Sequence, residues 1–306
     1  MVVSPLMLLA ALVSAHLVAD DLGPGDHERR VRVGDLDRRY LVHIPPGHDP
    51  AVPTPVVLAF HGGGGNAAGM AAMSGLSEKA DAAGFIVVYP EGTGRLPRVL
   101  TFNAGDCCGQ AAARKVDDVA FTRALLDDLA TIVAVDARRV YATGMSNGAM
   151  MAHRLGAELS ERITAIAPVA GPIGIGSCTP GRPVPVMHFH GDSDAFAPFA
   201  GGRGRGVSGT SFRSVGATIA AWVEADGCAG EPETTPLDDR EDDGTRVRVE
   251  RHGGGREGAE VVLVVIEGGG HTWPGREPPL AALGASTRDV SANDLMWEFF
   301  ERHPMP

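Results

Sequence analysis

Positive charge is scarce in this chain. Lys and Arg number 27 against 38 Asp and Glu, a formal net charge of −11. A surface of that sign repels a phosphate backbone instead of releasing its counterions, which argues against nucleic acid as a partner. Aromatic residues make up 5%, with three Trp and three Tyr, too few for rows of exposed rings that stack on bases. Cysteines number four, and their spacing is not that of a zinc site. What remains is ordinary for a soluble fold: 306 residues, 44% hydrophobic and 21% charged, enough length for a sizeable core.

Long apolar stretches are also few, and the longest is the very start. MVVSPLMLLAALVSAHLVA is apolar apart from Ser4, Ser14 and His16, and the chain turns polar at Asp20 and Asp21. It is short for a membrane span, and residues 1–19 are predicted to be a signal peptide, although no Lys or Arg precedes the apolar run. A secreted or extracytoplasmic protein follows, with residues 27–306 as one catalytic domain. The four cysteines, Cys107, Cys108, Cys178 and Cys228, suit export and allow three pairings. A Cys178–Cys228 bridge is expected, which leaves the adjacent Cys107 and Cys108 as a vicinal pair or reduced.

Short β-branched runs alternate with longer amphipathic ones, the pattern of crossover helices on a parallel sheet. The class is α/β: a mostly parallel sheet with helices on both faces. RVRV around Val33 and RYLVHIP from Arg39, joined through Gly34 and Asp35, predict an N-terminal antiparallel hairpin. Further strands are expected in VVLAFHG from Val56, FIVVYPEG from Phe85, VYATGMS from Val140, ITAIAPVA from Ile163, VPVMHFHG from Val184 and VVLVVIEGGG from Val261. Continuous apolar runs of this kind suit strands covered on both faces. Val119, Leu125, Leu126, Leu129 and Ile132 recur at helical spacing behind Asp117 and Asp118, which suit a helix start. GGRGRGVSG from Gly201 and the acidic, Gly-rich run from Pro232 to Gly258 read as mobile insertions.

The chemistry begins at Gly144-Met145-Ser146-Asn147-Gly148, between the strand VYAT and a helical stretch. A serine on such a sharp turn is held up from the sheet, and glycines on either side leave room for the reversal. His61-Gly62-Gly63-Gly64-Gly65-Asn66 closes another strand. The backbone N–H groups of Gly62, Gly63 and Gly64, with that of Asn147, could meet the oxygen of a tetrahedral intermediate. His61 supports that loop in this reading. A phosphate cradle is the competing one, but the Lys-Ser/Thr ending of a P-loop is missing. Ser146 needs a base and an orienting carboxylate. Asp194, in HFHGDSD, and His271, in GGGHTWPG, each follow a predicted strand, with Asp192 as the rival to Asp194. The order Ser146, Asp194, His271 is that of an α/β-hydrolase. His188 and His190 share a strand face and could hold a metal, but a third ligand at a recognisable spacing is missing, so buried, hydrogen-bonded histidines are expected.

HGGGGN, CCG followed by VDDVAF, DARRVYATGMSNGAMMAHRL, HFHGDSDAFAPF and GGGHTWPG together resemble the poly(3-hydroxybutyrate) depolymerase-like esterases, relatives of feruloyl and acetylxylan esterases. The likeness runs from about Tyr40 to the C-terminus. It implies a serine esterase that works without a cofactor or metal, with Ser146 as nucleophile, Asp194 as acid and His271 as base. The family's Val-Pro-Tyr after the aspartate is here Ala197-Pro198-Phe199, a change at the acyl pocket, and Phe199 and Trp273 are expected to contact substrate. The substrates implied are hydroxyalkanoate oligomers or feruloyl and acetyl sugar esters. A peptidase or an acyltransferase could use the same three residues, and a non-catalytic binding protein could share the scaffold.

Overall fold

A computed structural model describes residues 22–96, 99–206 and 209–306, so the expected signal peptide lies outside the described residues. The chain opens with the hairpin β1 (Gly25–Val33) and β2 (Leu36–Ile44), joined at Gly34 and Asp35, then runs through β3 (Thr54–Phe60), α1 (Ala67–Ser74), α2 (Leu76–Ala83) and β4 (Ile86–Pro90). A small ribbon, β5 (Thr93–Leu96) and β6 (Val99–Thr101), precedes α3 (Gly109–Ala113) and α4 (Asp118–Leu129). Next come β7 (Val135–Met145), α5 (Asn147–Glu158), β8 (Ala165–Val169) and β9 (Val186–Gly191). The last third holds a second ribbon, β10 (Gly202–Arg203) and β11 (Ser211–Phe212), followed by α6 (Val215–Asp226), β12 (Glu233–Pro236), β13 (Arg246–His252), β14 (Val261–Glu267) and α7 (Ala292–Arg302).

Among the described residues ten strands form one sheet in the order β1-β2-β4-β3-β7-β8-β9-β14-β13-β12. The six from β4 to β14 are mutually parallel, and an antiparallel pair closes each edge. Period-two alternation divides the core between the faces: Val56, Leu58 and Phe60 of β3 point to one, Val57 and Ala59 to the other. The first face is covered by α4, α5 and α6, the second by α1, α2 and α7. Strand order reverses between β3 and β7, since β3 leads outward to β4 and β7 leads the opposite way to β8. In open α/β sheets the crevice at such a switch point, outside the carboxyl ends of the strands, is where ligands bind. The His61 loop and Ser146 leave the sheet there.

Two expectations are corrected. The run from Pro232 to Gly258 is structured over much of its length: it supplies β12 and β13, which extend the sheet at its edge. Its charges and glycines hide a strand with one face in water, where Arg248 pairs with Glu250 and Glu267. The second correction concerns the cysteines. Cys107 and Cys108 are bonded to each other, and Cys178 and Cys228 are free. The Cys228 thiol points to the Ala259 carbonyl, and burial with the nearby Asp226 carboxylate pushes it up to about 11.

Candidate active site

Ser146 follows β7 at φ 56° and ψ −115°, in the left-handed region that a residue with a side chain rarely adopts. The turn is fixed from both sides. Ser146 N–H donates to the Val169 carbonyl at 2.9 Å, and its own carbonyl accepts from Met150 N–H at 3.0 Å. Gly144 and Gly148 are required by packing, because a methyl at either would run into the Phe60 carbonyl at the end of β3. Among the described residues the Ser146 hydroxyl has no hydrogen-bond partner; it opens into a cleft of about 1380 Å³.

His271, past β14, lines the same cleft. Its Nδ1 lies 2.7 Å from Asp194 Oδ2, past β9. A carboxylate only accepts, so Nδ1 carries a proton, and it is the neutral imidazole of this tautomer that has its Nε2 lone pair free for Ser146. The other oxygen of Asp194 accepts the N–H groups of Phe196 at 2.7 Å and Ala197 at 2.8 Å, a turn that locks the carboxylate in place. Asp192, the rival, is turned away, accepting from Gly268 N–H at 2.8 Å. No hydrogen bond joins Ser146 to His271; such bonds commonly tighten only with substrate.

Gly62, Gly63, Gly64 and Asn147 all line the cleft near Ser146. Gly64 must be removed from the expected N–H donors, because its N–H is spent on the Leu100 carbonyl of β6 at 2.8 Å. The N–H groups of Gly62, Gly63 and Asn147 remain uncommitted among the described residues. His61 accepts from Gly92 N–H at 3.0 Å through Nε2 and donates from Nδ1 to the Gly62 carbonyl at 2.8 Å. Burial pushes its imidazole down to about 4, so it stays neutral and braces the loop.

The two residues expected to contact substrate lie elsewhere. Trp273 is fully buried in the second face of the core, its indole N–H on Asn293 Oδ1 at 2.9 Å. Phe199 packs its ring edge against His190 behind the site. The cleft is lined instead by Phe196, whose ring stacks on His271 at 5.4 Å, and by Phe212, Met70, Met73 and Met145, with Leu96, Val99 and Leu280 exposed at its lips. Cys107 and Cys108 form part of the wall. The Asn147 amide grips that wall, accepting from Phe102 N–H at 2.7 Å and donating to the Phe102 carbonyl at 3.0 Å. Phe196 was within reach of the sequence, since it sits two residues past Asp194; the side-chain work of Asn147 depends on a partner 45 residues away.

No group of three His, Cys, Asp or Glu that could hold a metal exists among the described residues. His188 and His190 are buried and hydrogen-bonded to each other. Nor is any helix among the described residues long and apolar enough to cross a membrane.

Residues 38–195 match the family described as Esterase PHB depolymerase, a segment that holds the Gly62 loop, Ser146 and Asp194 and stops short of His271. The protein NocK of Nocardia uniformis subsp. tsuyamanensis is 33% identical over 285 residues, 89% of this chain and 81% of its own. Feruloyl esterase B of Piromyces equi is 31% identical over 242 residues; these span 76% of this chain but 42% of that longer protein. Among solved structures, an acetyl xylan esterase from Aspergillus awamori superposes with a TM-score of 0.60 at 14% identity, covering 90% of this chain and 99% of that one. At that identity the likeness speaks for the fold alone.

Proposed function

This chain belongs to the PHB depolymerase esterase family and is a carboxylic ester hydrolase, and on that premise we propose that Ser146, His271 and Asp194 carry the reaction as a catalytic triad. The observation that supports it most is the 2.7 Å contact of His271 Nδ1 with Asp194 Oδ2, in the cleft that Ser146 enters on a strained turn. Ser146 Oγ attacks the ester carbonyl carbon while His271 Nε2 takes its proton. Charge builds on the carbonyl oxygen, which the N–H groups of Gly62, Gly63 and Asn147 receive. The His61 bond to the Gly62 carbonyl supports this role: across a trans peptide plane, holding that carbonyl back turns Gly63 N–H to the opposite side. The carbon–oxygen bond to the alcohol then breaks, and His271 returns the proton to the leaving oxygen. Water repeats the sequence on the acyl-enzyme and frees the acid.

The lining of the cleft supports a substrate class. Phe196, Phe212 and three methionines suit a bulky apolar acyl group, as in feruloyl sugar esters; hydroxyalkanoate oligomers and acetyl sugar esters are the smaller alternatives. Export is part of the proposal, with residues 1–19 as a leader removed from a catalytic domain of residues 27–306.

Hydrolysis of p-nitrophenyl butyrate by the protein and by its Ser146→Ala and His271→Ala variants tests the triad. Each substitution is expected to lower kcat by about a thousandfold or more while circular dichroism stays unchanged. Turnover retained in either variant rejects the assignment.

A further inference from the structure

Three buried imidazoles run in a line away from the site. His188 and His190 sit two residues apart on β9 and so share a face, their rings joined by His188 Nε2 to His190 Nδ1 at 3.0 Å. His153 of α5 continues the line, Nε2 to His188 Nδ1 at 3.2 Å. The line ends at α6, where Trp222 Nε1 meets His153 Nδ1 at 2.9 Å. At the other end His190 Nε2 meets the Ala197 carbonyl at 2.7 Å, with Asp194 Oδ2 at 3.5 Å. All four side chains are buried.

Chemistry at the two ends fixes every proton between them. An indole N–H only donates, so His153 Nδ1 accepts and its proton is on Nε2. That proton faces His188 Nδ1, which places the His188 proton on Nε2, and the same step carries it to His190. The carbonyl of Ala197 only accepts, in agreement with the order read from Trp222. An added proton at any joint would set two N–H groups against each other. Burial and the neighbouring imidazoles hold all three below the usual histidine range, His153 at about 3, and His190 is lowered even with the Asp194 carboxylate facing it.

We propose that His190, locked as a neutral Nε2–H donor by His188, His153 and Trp222, is a positioning residue for the catalytic triad. Its N–H ties down the Ala197 carbonyl, and so fixes the turn whose Phe196 and Ala197 N–H groups hold Asp194 Oδ1 while Oδ2 faces His271. The proposal rests on the triad reading given above. Without this tie the turn can shift, Asp194 loses its line to His271, and the imidazole is no longer aimed. None of the three histidines lines the cleft, so replacing one removes no direct contact with substrate.

The test compares His190→Phe, which keeps a ring without the donor, with His190→Gln, which restores an N–H at similar reach, using p-nitrophenyl butyrate and Ser146→Ala as control. His190→Phe is expected to lose about tenfold to a hundredfold in kcat with KM held within about twofold, and His190→Gln to regain most of it. A residue with a purely structural role would lower the melting temperature and leave kcat per folded molecule alone. Wild-type kcat in a folded His190→Phe protein, with Ser146→Ala inactive, overturns the positioning role. Turnover retained by Ser146→Ala overturns the triad reading and this proposal with it. Nitrogen-15 NMR of the unmodified protein tests the proton order without a variant: His153, His188 and His190 are expected to be neutral and protonated on Nε2 at neutral pH. A titrating or Nδ1-protonated signal from any of them overturns the order.

Discussion

Ser146 holds a backbone conformation that costs on the order of 1–3 kcal/mol and persists because its surroundings over-determine it. Phe60, Val169 and Gly171 crowd the turn, and a side chain on Gly171 would meet the Ser146 carbonyl just as one on Gly148 meets Phe60. Gly148→Ala is therefore expected to destabilise the protein by about 1–3 kcal/mol or more, because the atoms its methyl would meet, the Phe60 carbonyl and the His61 oxygen, all belong to backbone and cannot swing aside. Urea denaturation measures it; an unchanged midpoint would mean the turn relaxes at little cost. The glycines of this motif were legible in the sequence because their spacing states their purpose. Trp273 was not: it stands two residues from His271, but loop geometry, which the sequence does not display, turns its indole to Asn293. Gly64 was misread for a related reason, since the partner that consumes its N–H is Leu100 on a ribbon with no strand signature.

Elements with a simple apolar pattern were read correctly, as was the alternating N-terminal hairpin, and the charged strands β12 and β13 were not. VVLAF and VVLVVIE declare themselves by continuous hydrophobicity, whereas β13, RVRVERH, spends its polar positions on Arg248 and Arg251 ion pairs at the sheet edge. Helix ends carry a further consequence. Asp226 closes α6 fully buried, its Oδ1 on Val184 N–H at 2.9 Å and its Oδ2 without a partner among the described residues. Burial pushes its carboxyl up to about 7, against the opposing pull of that hydrogen bond, Arg256 and Arg182. Unfolded, the same group titrates near about 3.9. The folded chain therefore keeps a proton that the unfolded chain has lost, and the stability this contributes is full below about pH 4, falls as pH rises and is gone above about pH 7. Asp226→Asn keeps an acceptor for Val184 and carries no charge. Thermal melts across this range are expected to show a flatter pH dependence for the variant and a higher melting temperature than wild type at pH 8. Parallel curves would contradict the assignment.

At the scale of the whole molecule, the site is a product of topology. The Gly62 loop follows β3, Ser146 follows β7, Asp194 follows β9 and His271 follows β14, and the parallel sheet delivers all four to the same edge although they are spread over 210 residues. Chain order and strand context made that convergence readable in advance. The rest of the cleft lining was not readable, because Met70 of α1, Phe212 of β11 and the Cys107–Cys108 pair come from separate segments whose mutual placement only the folded chain defines. The account stands on Ser146 being the activated nucleophile among the serines of this chain. An organophosphate ester that traps activated serines, followed by peptide mass spectrometry, examines that claim most directly. A single adduct on the peptide carrying Ser146, lost in His271→Ala, is the expected result, and an adduct on another residue, or none in an active preparation, would contradict it.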